Sequence, residues 1–139
     1  MDLMKLGELK AGADKGATML LRHPVDNSVL TDDAGKEMSI TFAGKDSDLY
    51  RKAEKLIGNR RINRMKTTRR YTSTVEEQET DTIELLAACT MDWYLVVEGK
   101  TPECNAIEAR KLYSTAGIGP VIVEQALAFI EDRASFLTN

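Results

Sequence analysis

Gly119-Pro120-Val121-Ile122-Val123-Glu124-Gln125-Ala126-Leu127-Ala128-Phe129-Ile130-Glu131-Asp132-Arg133-Ala134-Ser135-Phe136-Leu137 is the clearest amphipathic stretch of this 139-residue chain. Ile122, Ala126, Phe129, Ile130, Arg133 and Phe136 or Leu137 follow a helical stripe, while Glu124, Glu131 and Asp132 fall largely on the wet side. Pro120 suits the first turn of a helix, where its missing N–H would have been unpaired anyway. A last helix running from this proline toward Leu137 is the expectation. Its apolar stripe needs other elements to cover it.

Working back from there, Asn105-Ala106-Ile107-Glu108 has the form of a capping box and opens a short helix carrying Ile107, Leu112 and Tyr113 as far as Gly117. Thr101-Pro102-Glu103 is a connector. Ser73-Thr74-Val75-Glu76-Glu77 holds two overlapping capping boxes, Ser73 with Glu76 and Thr74 with Glu77, and the glutamates favour a helix N-terminus through the macrodipole. The helix that follows buries Ile83, Leu86, Ala87, Thr90 and Trp93 or Tyr94, and Gly99 ends it or its short extension. Ser47 caps a further helix with Leu49, Ala53, Leu56 and Ile57 on one face. Beyond Gly58 the apolar pattern weakens into a frayed helix or a linker.

The first third reads differently. Ala17 to Arg22 is a brief apolar run that stops at His23-Pro24 and the turn residues Val25-Asp26-Asn27-Ser28. Met38, Ile40 and Phe42 alternate with Ser39 and Thr41, as in a half-buried strand. Residues 1–16 carry no sustained period and read as a flexible N-terminal arm with a short helical turn around Leu3 to Leu9. The fold expected is therefore α+β and predominantly helical. A small N-terminal β-hairpin or sheet (17–46) is followed by a bundle of about four helices (47–139), all in one domain because the length suits one core.

Apolar residues make up 42% and charged residues 29%, a globular balance rather than a disordered or fibrous one. No apolar run approaches the roughly 18 residues that a membrane span needs, and the start lacks a signal-peptide core, which reads as cytoplasmic. Cys89 and Cys104 with the single His23 make neither a disulfide framework nor a zinc set. No activated nucleophile, metal set or phosphate cradle stands out. The acidic group Glu76, Glu77, Glu79, Asp81 and Glu84 reads as a solvated helix face, and the expectation is a binding protein without catalysis, cofactor or metal.

Charge is distributed unevenly. Residues 1–72 hold 15 basic and 10 acidic side chains, and residues 73–139 hold 4 and 12. The basic density peaks in Arg60, Arg61, Arg64, Lys66, Arg69 and Arg70, six cations in eleven residues. Such a run could neutralise phosphates, but only Tyr71 stands beside it as a stacking ring, so pairing with the acidic run after Glu76 or with a protein partner is the preferred use.

The order of the C-terminal segments resembles the tail assembly chaperones of long-tailed, siphovirus-like bacteriophages. The residues that carry the resemblance are Trp93-Tyr94-Leu95-Val96-Val97-Glu98-Gly99-Lys100 after a helix, a proline connector, Lys111-Leu112-Tyr113 closing a short helix, and Phe129-Ile130-Glu131-Asp132-Arg133-Ala134-Ser135-Phe136-Leu137. The N-terminal strands and Ser47-Asp48-Leu49-Tyr50-Arg51 are compatible with it. The resemblance implies a protein of the host cytoplasm, absent from the mature virion, that binds the tape-measure protein and helps recruit tail-tube subunits during assembly. It also implies the short form of a pair whose longer form arises by frameshift. Trp93, Tyr113, Phe129 and Phe136 are the candidate partner-binding residues, at least two of them expected in the core, and a homo-oligomer is expected as well. The alternatives are a small nucleic-acid-binding regulator acting through residues 60–70 and a structural tail or connector component that stays in the virion.

Overall fold

A computed structural model describes residues 2–137. The chain is α+β and predominantly helical, with five α-helices and a small three-stranded antiparallel sheet among the described residues. In chain order the elements are α1 (Gly7–Lys15), β1 (Ala17–Leu20), β2 (Ser39–Phe42), α2 (Asp48–Thr68), α3 (Val75–Cys89), β3 (Thr90–Tyr94), α4 (Ala106–Ser114) and α5 (Ile118–Glu131). Short 3-10 turns, Leu3–Leu6 and Arg133–Phe136, precede α1 and follow α5.

The alternation of Met38 to Phe42 places β2 at the centre of the sheet, and Ile40 and Phe42 are fully buried. Ala17 stands opposite Phe42 on one side, and Trp93 stands opposite Ile40 on the other. Leu86, Ala87 and Cys89 of α3, Leu112 and Tyr113 of α4, and Ile122, Ala126 and Ile130 of α5 complete one core with the sheet. Burying a side chain of this size stabilises the fold by about 1.5–3 kcal/mol before conformational entropy is set against it.

Local signals start the helices where they were expected. The Ser47 hydroxyl accepts from the Tyr50 N–H at the start of α2. At α3, Thr74 and Glu77 form the reciprocal capping box, each side chain accepting from the other's backbone N–H. Asn105 caps α4 through the Glu108 N–H. Gly117, with φ at +86°, turns the chain between α4 and α5, which meet at a bend of 112°. No single helix is long and apolar enough to cross a membrane among the described residues.

Several expectations are corrected. Thr90 to Tyr94, read as the end of a helix, is the third strand: Thr90 leaves helical geometry with ψ at 118°, and the Ala43 N–H donates to the Cys89 carbonyl where β3 joins β2. A run of Thr, Trp and Tyr followed by Val96 and Val97 satisfies either period, and the open edge of β2 decides for the strand. Residues 1–16, read as an arm, include a helix that docks. Ala13 is buried, its carbonyl accepts from the Gly44 N–H, and Asp14 accepts from the Asp48 N–H. The last helix stops at Glu131, and Asp132 caps the 3-10 turn that returns Phe136 to the core. Helix α2 continues to Thr68 without a break, yet only its Ala53 and Ile57 are buried, so Leu49 and Leu56 face outward, as does Ile107 of α4.

Candidate functional site

Of the four aromatics expected to meet a partner, Tyr113 and Phe136 are buried in the core. Tyr113 shares a 2.6 Å hydrogen bond with the Thr90 hydroxyl, which itself donates to the Leu86 carbonyl, and burial pushes the phenol well above its ordinary range. Phe136 packs edge-on against Phe129 at 5.4 Å, and Phe129 continues to Phe42 at 6.4 Å. Phe129 and Trp93 are half-buried, and the Trp93 indole donates to the Pro102 carbonyl at 2.9 Å, pinning the connector to β3. This set of rings holds the sheet, the connector and the end of the chain together. Sequence periodicity marks such residues as apolar without separating core from interface.

The basic segment is drawn into the fold. Arg61 and Arg64 of α2 both donate to Asp81 of α3, at 3.0 Å and 2.7 Å, and Asp81 is 2% exposed. Arg64 also meets Glu77 at 3.0 Å, and Arg70 reaches the same carboxylate at 3.5 Å. The Thr74 backbone N–H together with Arg64 holds the Glu77 carboxyl down at about 2. Arg61 and Arg64 therefore clamp α2 to α3, and Arg70, just past the end of α2, adds a third link. Among the described residues Arg60, Lys66 and Arg69 make no ion pair. Asp81 is the residue that the solvated-face reading missed. A usable signal was present, since Glu77 and Asp81 four apart lie opposite Arg61 and Arg64 three apart, a match of helical faces across a hairpin.

His23 is exposed in the turn after β1, where its Nδ1 accepts from the Val25 N–H. Cys89 lies in the core, where burial raises its thiol to about 12, and Cys104 is half-buried. Among the described residues no three His, Cys, Asp or Glu side chains converge in a manner that could hold a metal ion.

What the fold leaves open is a groove of about 510 Å³ between α3 and α5. Val75 and Ile83 of α3 contribute to one side, Val123 and Leu127 of α5 to the other, with exposed Pro120 and the buried Tyr113 ring bordering it. Gln78, Glu79, Thr82 and Glu124 are its polar lining. Val75 is 70% exposed, and Ile83, Val123 and Leu127 are half-buried, so the apolar surface here is only partly satisfied by the core. A second groove, about 550 Å³, runs between β1 and α5, where the Gln125 side chain pairs with both backbone groups of Arg22. That pairing satisfies both backbone groups of a residue just past the end of β1 and ties it to α5.

The α3–α5 groove is lined from two helices and mostly by apolar side chains, the arrangement into which an amphipathic helix lays its apolar face. Of the sequence candidates only Tyr113 lines it, and the others hold the core or border other grooves. Comparison with protein-family models, with curated proteins and with solved structures finds no match for this chain.

Proposed function

We propose that this protein is a non-catalytic assembly chaperone of a long-tailed bacteriophage, holding an amphipathic helix of the tape-measure protein in the α3–α5 groove and helping to recruit tail-tube subunits. The observation that carries the reading is the groove itself. Val75, Ile83, Val123 and Leu127 line an open channel between two helices, whereas the aromatic side chains first suspected are largely spent on internal packing. The support from resemblance rests on Lys111-Leu112-Tyr113 and Phe129 to Leu137, because Trp93-Tyr94 stands in a strand here rather than at a helix end.

A long helical client exposes apolar faces before it is enclosed, and such faces aggregate unless another apolar surface covers them. Multiple copies of a small chaperone, each covering about two turns, would shield a filamentous client without any covalent step. The reading places the protein in the host cytoplasm and leaves it out of the finished particle.

The test is co-expression with the tape-measure protein of the same genome, followed by co-purification and sizing. Soluble co-elution is expected, with loss when Val123→Asp and Leu127→Asp are introduced together into a chain whose circular dichroism stays native. Aggregation of the client beside a chaperone that elutes unchanged would overturn the reading. Finding the chain in purified virions by mass spectrometry would point instead to a structural tail component.

A further inference from the structure

We infer that the α3–α5 groove selects helices whose apolar face is flanked by lysine or arginine, an inference that rests on the groove being a helix-binding site. Helix α3 carries five carboxylates in its first ten residues, Glu76, Glu77, Glu79, Asp81 and Glu84. Those that face neighbouring elements are neutralised inside the fold: Glu77 by Arg64 and Arg70, Asp81 by Arg61 and Arg64, and Glu84 by Arg110 of α4. Glu79 faces the groove instead. It is exposed, and among the described residues it has no ion-pair partner.

Across the groove, α5 presents Glu124, also exposed and also without an ion-pair partner among the described residues. Among the described residues no lysine, arginine or histidine lines the channel. Glu79 lies on the Val75–Ile83 stripe of α3 and Glu124 stands next to Val123 on α5, so carboxylates from both helices lie among the apolar side chains and are complementary to a helix that carries cations beside its apolar anchors. Its leucine-type anchors would occupy the centre, and the cations beside them would reach Glu79 on one side and Glu124 on the other. Lysine and arginine suit that position because their alkyl stems cover apolar surface while the charged ends stay in water. From Val75 to Ile83 helix α3 rises about 12 Å, so the contact spans about two turns of the occupant and three or four anchors at i, i+3, i+4 and i+7.

Both carboxylates are exposed, and charges that keep much of their hydration act mainly on choice of partner and rate of encounter. Two pairs that switch from attraction to repulsion account for about a tenfold difference in affinity. An acid-flanked helix would meet two like charges and lose by that factor. A helix with the same apolar face and neutral flanks would fall between the two.

The experiment uses the full chain and two fluorescein-labelled helical peptides with identical leucine anchors, one flanked by lysines and one by glutamates, titrated by fluorescence anisotropy. The lysine peptide is expected to bind about tenfold more tightly, and the gap is expected to narrow between about 50 mM and about 500 mM salt. Glu79→Lys with Glu124→Lys should reverse the preference, whereas the charge-matched control Glu98→Lys with Glu103→Lys should keep it. Equal binding of both peptides in the wild-type chain would overturn the charge selection while leaving the helix-binding groove standing. Binding of neither would overturn both. Self-association of the chain alone that Glu79→Lys with Glu124→Lys abolishes would seat a second copy in the groove and overturn the inference as well.

Discussion

Tyr113 shows how one side chain can look like a binding residue in sequence and act as a structural one. Its ring fills the core between α3 and α4, and its hydroxyl finds Thr90, so the polar atom is satisfied where water cannot reach it. Tyr113→Phe removes one buried hydrogen bond but leaves the Thr90 hydroxyl on the Leu86 carbonyl. A loss of about 1 kcal/mol in chemical denaturation is expected. Glu77 gives a prediction in pH. Its folded pKa lies near 2 against an ordinary 4.5, so in that interval the unfolded chain binds more protons than the native one. Its contribution is complete above the unfolded value and is lost as pH falls from about 4.5 toward about 2. Glu77→Gln should therefore flatten the slope of stability against pH within that window and lower stability at neutral pH, both readable from urea unfolding at successive pH values.

At the scale of elements, α1 and β3 are the two that sequence reading missed, for different reasons. Helix α1 is short and contains glycine within it, so nothing local would sustain it alone. Docking sustains it, and Gly12 sits so close to the Phe136 carbonyl that a Cβ has no room there. Gly12→Ala should cost about 1–3 kcal/mol in unfolding free energy despite alanine's better helix propensity, because the helix must shift to relieve the clash. Strand β3 was hidden because its residues fit a helical stripe as well as an extended one. Helix α2 makes the opposite case, since local sequence past Gly58 looked weak and the helix nonetheless reaches Thr68. Ion pairs to α3 hold that half, with no buried apolar residue beyond Ile57. Amides of 62–68 should therefore exchange with deuterium faster than those of 53–58, by about tenfold or more.

Across the whole molecule, the charge imbalance between the halves becomes partly an internal seam. Arginines of α2 meet carboxylates of α3, and Arg133 after α5 meets Asp46 before α2 at 2.8 Å. One core draws on β2, α3, α4 and α5 together, so unfolding should be a single cooperative transition. Far-ultraviolet dichroism and Trp93 fluorescence are expected to give the same midpoint. Separate midpoints would mean that the α2–α3 hairpin melts apart from the sheet. The remaining acidity gathers at exposed positions, including Glu79 and Glu124 at the open groove, which is why salt and partner charge are the natural variables for testing binding.

The sequence by itself determined the class of the fold, the caps at Ser47, Thr74 and Asn105, the strand Ser39–Phe42 and the buried stripe of α5. Each of these depends on interactions within a few residues or on a period that one face of burial imposes. Only the tertiary structure decided that Thr90 to Tyr94 is extended, that residues 7–15 form a docked helix, that Asp81 is buried beneath two arginines, and that an apolar groove lies between α3 and α5. Those outcomes depend on which surfaces meet. A residue's own preferences set what it can tolerate, and the free strand edge, the docking partner or the facing arginine then selects among the tolerated states.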